Sequence, residues 1–204
     1  MINKYLINKI LKYDFLKIII LSMLIFLSSL TGRYFQLNGW SGVVVGLIEG
    51  LLGGIVLLGI EYFSKKQSYY LKGLDLENKI ADKLSKLNYD FERNLNTGYG
   101  DLDFLVQKNY IYYGVEAKNI PGLVIFKNGL LKVDGFDKSE FITKLLSHCR
   151  LVRDERFGEK SEKWINPILV FGHKTVVNIP NNKIHFNNTE IVVTTIKDFE
   201  KFIK

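Results

Sequence analysis

Four charged residues lie inside two short runs of the sequence that are otherwise mostly apolar. Asp101 and Asp103 belong to the run GDLDFLV, and Glu116 and Lys118 belong to GVEAK. Carboxylates that converge on one patch repel each other unless a cation compensates, and Mg²⁺ typically takes one or two carboxylates with water and phosphate oxygens. The pattern therefore indicates a site for a hard divalent metal. In the simpler alternative, the aspartates decorate a solvated strand end and Glu116 pairs with Lys118.

A β-hairpin would bring these two runs together. The second run is rich in aromatic and β-branched residues, and a short polar turn at Lys108-Asn109 precedes it. This turn predicts that Asp101 lies opposite Glu116. By the same count, Asp103 lies opposite Gly114. Because side chains alternate between the two faces of a strand, all four charged side chains are expected to project from one face of the hairpin.

The segment before the hairpin is predicted to be an amphipathic helix from Asp75 to Leu87, with Asp75 as its N-cap. Its apolar residues recur at helical spacing: Leu76, Ile80, Leu84 and Leu87. Glu77 falls in the first turn, where the helix dipole stabilises an acidic side chain, and this is its simplest explanation. A loop from Asn94 to Gly100 is expected before the hairpin.

The remaining segments alternate between helix and strand. Lys138 to Val152 is predicted as a helix with the apolar side chains of Phe141, Ile142, Leu145, Leu146 and Cys149 on one side. Asn166 to Val177 is predicted as one buried strand, Glu190 to Thr195 as another, and a short helix begins at Lys197. The order of helix, hairpin, helix, strand, strand and helix predicts an α/β fold with a mixed central sheet flanked by helices.

The N-terminal part of the chain is far more apolar than the rest. From Phe15 to Phe63 it contains few charges, whereas charged and apolar residues are mixed from Ser64 onward. We therefore expect two domains, a membrane anchor at residues 1–63 and a soluble domain at residues 64–204.

Two apolar runs within the anchor approach or reach the length of a membrane span. They predict transmembrane helices at about residues 15–35 and 41–63, joined by a tight turn that ends in the interfacial aromatic Trp40. A signal peptide is the alternative for the first run, but it lacks an evident Ala-x-Ala site and a second apolar run follows at once. Lysines flank both outer ends of the two runs, so the positive-inside rule predicts a cell-membrane protein with both termini in the cytoplasm.

The second apolar run carries a stripe of glycines at intervals of four residues: Gly42, Gly46, Gly50 and Gly54. Such a stripe allows close approach of another helix, either the first helix of the same chain or a second copy in a homo-oligomer. Glu49 lies beside the stripe, where an ionised carboxylate is costly and a functional role is the default hypothesis.

The net charge of +7 lies mostly on the soluble part of the chain. A mildly basic domain suits nucleic acid or the anionic inner face of a membrane, and charge alone does not choose between them. The single cysteine, Cys149, excludes an internal disulfide and any multi-cysteine zinc site. The three histidines, His148, His173 and His185, are too scattered to suggest a metal site and are interpreted as structural or surface residues.

From Gly73 to Lys204 the sequence resembles the NERD, or nuclease-related, domain of the PD-(D/E)xK nuclease superfamily. The resemblance rests on GLDLE at the start of the predicted helix, on GDLD and GVEAKN in the hairpin, and on NPILVF and IVVTTIKDF near the end. It implies a restriction-endonuclease-like core. It also implies hydrolysis of phosphodiester bonds in DNA, with Mg²⁺ or Mn²⁺ as the cofactor.

The resemblance also implies roles for individual residues. Asp103 and Glu116 would bind the metal. Lys118 would position or activate the attacking water, and Glu77 would complete the catalytic site. Asp101 is a possible further member, because its place in the family motif is usually acidic or polar without being the principal metal ligand.

The chain departs from the family pattern at two positions. Leu76 stands before the helix glutamate, where a small residue is usual. Lys144 stands four residues before His148, where the family often has a glutamine, and it could contact a phosphate instead. These departures affect the positioning of DNA more than the predicted metal site.

The leading hypothesis is a membrane-anchored, metal-dependent nuclease that acts on DNA on the cytoplasmic side, with DNA and the lipid bilayer as partners. The alternative keeps the fold without the catalysis, as a membrane-tethered module that binds nucleic acid or protein. A pore formed by the glycine-striped hairpin is a third hypothesis, which rests on Glu49 and the glycines only. The complete set of Asp103, Glu116 and Lys118 favours the enzyme.

Overall fold

The computed structural model describes residues 4–39 and 42–203. The chain divides into two compact units, Met1–Lys72 and Gly73–Lys204. The predicted interfacial residue Trp40 and its neighbour Ser41 lie outside the described residues.

The first unit is a helical hairpin, as predicted. It consists of α1 (Lys4–Leu37) and the N-terminal part of α2 (Gly42–Lys86). The two helices run in opposite directions: the rings of Tyr13 and Tyr70 stack at 5.7 Å between centroids, and Ser28, later in α1, contacts Glu49, earlier in α2. By length and composition, Leu11–Tyr34 and α2 could each cross a membrane. This is weak evidence for an anchor, because a signal sequence near the N-terminus would meet the same criterion.

The glycine stripe does not form the contact between α1 and α2. A Cβ atom added at Gly42, Gly46, Gly50 or Gly54 would meet no described atom within 4 Å. The contact uses a neighbouring side of α2, where Glu49 accepts a 3.4 Å hydrogen bond from the Ser28 hydroxyl. A cavity of about 280 Å³ lies beside this pair, lined mainly by apolar side chains. Packing within the hairpin therefore does not explain the stripe.

Helix α2 begins at Gly42 and continues to Lys86, so the separate helix predicted from Asp75 is wrong. Asp75 is not an N-cap, and Glu77 lies in the body of a helix rather than in its first turn. The change from apolar to polar composition near Ser64 does not end the helix. No proline interrupts the helix there, and one glycine, Gly73, costs only about 1 kcal/mol within a helix. The predicted apolar stripe is confirmed at Leu76, Ile80 and Leu84, which are fully buried.

The second unit is a mixed α/β domain. Within the described residues its strands are β1 (Asp90–Asn96), β2 (Asp101–Lys108), β3 (Ile111–Lys118), β4 (Gly122–Lys127), β5 (Leu130–Val133), β6 (Phe136–Asp137), β7 (Ile165–Phe171), β8 (Thr175–Val177), β9 (Lys183–Phe186) and β10 (Thr189–Thr195). Helix α3 (Glu140–Phe157) follows β6, and a 3₁₀ turn at Phe199–Phe202 closes the chain.

Six strands form the central sheet in the order β1-β2-β3-β7-β10-β9. The pairs β1-β2, β2-β3 and β10-β9 are antiparallel, whereas β3-β7 and β10-β7 are parallel. This confirms the predicted mixed sheet flanked by helices. One side of the sheet packs against the buried face of α3, and the other side packs against the last turns of α2.

Several strand boundaries differ from the predictions. The predicted loop from Asn94 is wrong in its first half, because β1 continues to Asn96. The predicted single strand Asn166–Val177 is two strands in different sheets, broken at residues 172–174. The small sheet β6-β5-β4-β8 and strand β9 were not predicted, because short strands joined by tight turns give little periodic signal.

The register of the β2-β3 hairpin differs from the predicted one by two residues. Lys108 pairs with Ile111 and Phe104 with Val115, so the turn is Asn109-Tyr110. Both turn residues have positive φ, 50° and 63°, as the favoured two-residue hairpin turns require. A shift of two residues preserves the face of each side chain but moves its partner.

Candidate active site

The site lies where β2 and β3 separate. Their regular pairing ends at Phe104 and Val115. Beyond that point the backbone of β3 bonds to a side chain of β2. The Oδ2 of Asp103 accepts a 2.7 Å hydrogen bond from the backbone N–H of Ala117. The side chain of Asp103 is thereby fixed beside the residue that separates Glu116 from Lys118.

Asp103 is half-buried among other acidic groups. Burial, the charge of Glu116 and the charge of Glu77 together raise the pKa of Asp103 well above its ordinary value. The charge of Lys118 and the hydrogen bond from Ala117 act in the opposite direction without cancelling this effect. A carboxyl group in this position is poised to gain strongly from any cation that reaches it.

Glu116 and Lys118 form a close pair on β3. Lys118 Nζ donates a 2.6 Å hydrogen bond to Glu116 Oε1, and it also lies 5.3 Å from the ring centroid of Phe141 on α3. Burial opposes the charged form of Lys118. The carboxylates of Glu116, Asp103 and Glu77 overcome that opposition and raise the pKa of Lys118 above its ordinary value. Lys118 is therefore held as an ammonium group at neutral pH.

Glu77 reaches the same cluster from α2, and it is 6% exposed. Its Oε2 lies 3.8 Å from Nη2 of Arg93 on β1, and the Arg93 guanidinium stacks over the ring of Phe104. The structure thus brings together four of the predicted site residues: Asp103, Glu116, Lys118 and Glu77. Arg93 is not among the predicted site residues, because its spacing in the sequence does not indicate that β1 brings it to Glu77.

The predicted opposition of Asp101 and Glu116 is wrong, because continuing the observed β2-β3 register past Phe104 and Val115 places Asp103 opposite Glu116. Leu102 packs on the α3 side of the sheet, whereas Phe104, two residues later, packs on the α2 side. The regular alternation is therefore broken at Asp103. The break lies beside Asn94 of β1, which has a positive φ of 55°. On the other side of β2, Asp101 pairs with Asn96 of β1, and its role in the site stays a prediction.

His148 on α3 was expected to be a structural or surface residue, but it lines the site. It is 6% exposed, and its Nδ1 lies 4.0 Å from Glu116 Oε2. His173 and His185 are exposed, in agreement with a surface location. Lys144, one turn before His148, is also exposed. Phe141, Leu145 and His148 lie on one face of α3, so helical spacing in the sequence indicates a buried position for His148.

The residues present fit a divalent cation. Within residues 4–39 and 42–203, no group of three or more His, Cys, Asp and Glu side chains is arranged to hold a metal ion. Two carboxylates are nevertheless enough for Mg²⁺ when water and a phosphate supply the other ligands. Oε2 of Glu116 is buried without a hydrogen-bond partner among the described residues, and the pKa of Asp103 is raised. A bound cation would relieve both conditions, so Asp103 and Glu116 could hold it.

The site is a cluster of acidic side chains around one lysine in a mixed α/β domain. Residues 72–172 match the family model described as NERD, nuclease-related domain. The match includes Glu77, Asp103, Glu116 and Lys118, and it ends before β8, β9 and β10. It supports a nuclease-related domain in this part of the chain. No curated protein and no solved structure shows significant similarity to the chain.

Proposed function

We propose that this protein is a membrane-anchored, metal-dependent nuclease that hydrolyses phosphodiester bonds in DNA on the cytoplasmic side. The observation that carries the proposal is the cluster of Asp103, Glu116 and Lys118, which lies inside the segment that matches the nuclease-related family. The arrangement of one aspartate and a Glu-x-Lys pair on neighbouring strands is the basis for proposing a PD-(D/E)xK site on a restriction-endonuclease-like core.

Asp103 and Glu116 would hold Mg²⁺ or Mn²⁺, which supplies charge neutralisation at the phosphate and lowers the pKa of water. Lys118 is an ammonium donor at the centre of the cluster, so it would orient the attacking water and stabilise the negative charge that develops on the phosphate oxygens. Glu77 would complete the site from α2, where its pairing with Arg93 holds it in place.

The reaction replaces one bond to phosphorus by another. The oxygen of water forms a bond to the phosphorus atom and loses a proton to solvent or to a basic group of the site. The bond from phosphorus to the leaving sugar oxygen breaks, and that oxygen takes up a proton. The chain's contribution is to exclude bulk water, to place the carboxylates and to present the Lys118 ammonium.

The cleavage test uses the full chain purified in detergent, with single- and double-stranded DNA and RNA as substrates. We expect cleavage of DNA with Mg²⁺ or Mn²⁺ and none with EDTA. Glu116→Ala and Lys118→Ala should each lower the rate by roughly 10²–10⁴-fold. Lys163→Ala serves as a matched lysine control away from the cluster. If DNA binds but no metal supports cleavage, the inactive binding module replaces the nuclease as the proposal.

The membrane anchor and its orientation are tested by cysteine labelling. In a Cys149→Ala background, Asn38→Cys marks the turn of the helical hairpin and Lys72→Cys marks the end of the first unit. A membrane-impermeant maleimide should label residue 38 on intact cells and residue 72 only after lysis. The reverse pattern would invert the orientation. Release of the chain from membranes by alkaline carbonate would exclude the anchor.

We also propose that the glycine stripe of α2 packs against a second copy of the chain. The four glycines face open space in the described structure, and helix association in lipid depends on such close approach of backbones. Gly46→Leu and Gly50→Leu should abolish crosslinking between copies in membranes. Leu47→Ile, next to the stripe, should leave crosslinking unchanged. A monomer under all conditions would contradict this part of the proposal.

A further inference from the structure

Two buried polar atoms face each other across the proposed site, and neither has a hydrogen-bond partner among the described residues. They are Oε2 of Glu116 and Nδ1 of His148, 4.0 Å apart. The side chains of both residues are more than nine-tenths buried, at 7% and 8% exposure. A buried polar atom without a partner is costly, and most such atoms in folded proteins find one.

The surroundings of His148 restrict where its ring can go. Gly100, immediately before β2, has a φ of 134°, and a Cβ atom added there would lie 3.2 Å from His148 Nε2. The ring is thus enclosed between the backbone of Gly100 on one edge and the carboxylate of Glu116 on the other. Among the described residues, Glu116 is the charged group that approaches Nδ1.

We propose that His148 is a positioning residue for Glu116, donating the Nδ1 proton to Glu116 Oε2. The 4.0 Å separation is longer than a hydrogen bond. It can close by small rotations, because the terminal torsions of both side chains are soft. Lys118 already donates to Oε1, so the second donor would fix the plane of the carboxylate by both of its oxygens. The proposal rests on the proposed function, in which Glu116 holds the metal.

Such an arrangement has a consequence for metal binding. A carboxylate whose two oxygens both accept hydrogen bonds loses less orientational freedom when it binds a cation. Residues that hydrogen-bond to metal ligands typically contribute 10–100-fold to the affinity for the metal. His148 would not itself touch the metal or the substrate. Its removal should therefore weaken metal binding without removing a ligand.

The test compares His148→Asn with His148→Leu in the full chain in detergent. These two side chains have nearly the same shape, but the amide nitrogen of Asn can replace the Nδ1 donor and Leu cannot. We expect Mn²⁺ affinity, measured by calorimetry, to fall about 10–100-fold in His148→Leu. It should stay within a few-fold of wild type in His148→Asn. Equal affinity in all three proteins, or an equal loss in both variants, would overturn the proposal.

A second measurement needs no metal. Selective ¹⁵N labelling of the three imidazoles reports which ring nitrogen carries the proton, with the exposed His173 and His185 as internal references. We expect the Nδ1–H form at His148, and a change of its signal alone in Glu116→Gln. The Nε2–H form, or no response to Glu116→Gln, would overturn the proposal whether or not the protein binds metal. Loss of the proposed nuclease function would appear separately, as absence of cleavage by the wild type.

Discussion

Lys118 Nζ and Glu116 Oε1 lie 2.6 Å apart on a single strand, with only Ala117 between the two residues. Side chains two residues apart on a strand point to the same face, so this pair forms without help from distant parts of the chain. Its surroundings are supplied from elsewhere: Phe141 and His148 from α3, Asp103 from β2 and Glu77 from α2. The pair is therefore local in sequence, and its chemistry is set by the tertiary structure.

Replacing Glu116 should lower the pKa of Lys118. Burial opposes the ammonium form, and Glu116 is the foremost charge that counteracts burial. In Glu116→Gln this attraction is lost while the burial remains. Titration of isotopically labelled lysine by NMR should show the Lys118 pKa below its wild-type value. Glu92→Gln on β1 is the matched control, and an unchanged Lys118 pKa in Glu116→Gln would contradict the role given to this charge.

Replacing Asp103 by Asn should stabilise the metal-free protein at neutral pH. The folded-state pKa of Asp103 is raised, so its contribution to stability is full below the unfolded pKa of about 3.9 and is lost as pH rises through the folded value. The difference in melting temperature between Asp103→Asn and wild type in EDTA should therefore be small near pH 4 and grow in favour of the variant toward pH 8.

Two controls accompany this experiment. Asp101→Asn, on the same strand, should not reproduce the trend. Saturating Mg²⁺ should raise the melting temperature of the wild type and leave that of Asp103→Asn nearly unchanged, because a ligand at 100 times its dissociation constant stabilises by about 2.7 kcal/mol. If the wild type is more stable than Asp103→Asn at every pH in EDTA, the ionised Asp103 carboxylate does not destabilise the metal-free protein and the prediction is wrong.

Gly114→Ala should destabilise the second unit by about 1–3 kcal/mol. A Cβ atom at Gly114 would lie 2.3 Å from Cys149 Sγ and 3.1 Å from Ile165 Cγ2, because α3 packs directly onto β3 at this point. Removing the sulfur in Gly114→Ala/Cys149→Ala should recover part of the loss, as measured by chemical denaturation. Additive losses in the double variant would show that contact with Cys149 is not the cause.

Tyr110→Gly should stabilise the hairpin by about 1 kcal/mol. Tyr110 has a φ of 63° and a 91% exposed side chain, so it bears the cost of a left-handed conformation and makes little contact in return. Asn-Gly is the favoured pair for this two-residue turn. Tyr99→Gly, another exposed tyrosine in a loop, serves as the control. A lower free energy of unfolding in Tyr110→Gly would mean that the ring has a contact that stabilises the fold.

Much of the site could be predicted from local spacing. The parity of β3 places Glu116 and Lys118 on one face in any register, and the structure confirms that pairing. The register of the β2-β3 hairpin depends on which two residues form the turn, and both must tolerate a positive φ. Asn109 can be either the first or the second residue of such a turn. The predicted turn therefore began one residue too early.

Other features of the site depend on contacts that periodicity does not encode. The alternation of side chains in β2 is broken between Leu102 and Phe104, beside Asn94 of the neighbouring strand, which has a left-handed conformation. Glu77 is a member of the cluster, and not a helix-start acid, because α2 continues through the change in composition.

The sequence by itself determined the division into an apolar hairpin and a mixed α/β domain, since composition and periodicity act over neighbouring residues. It also determined the identity of the acidic residues and of Lys118. Only the tertiary structure decided which of these charges meet, because the helices and strands that carry them are distant along the chain. The fold, and not the residues alone, raises the pKa of Asp103 through desolvation and the nearby carboxylates, and it places His148 of α3 beside Glu116 of β3.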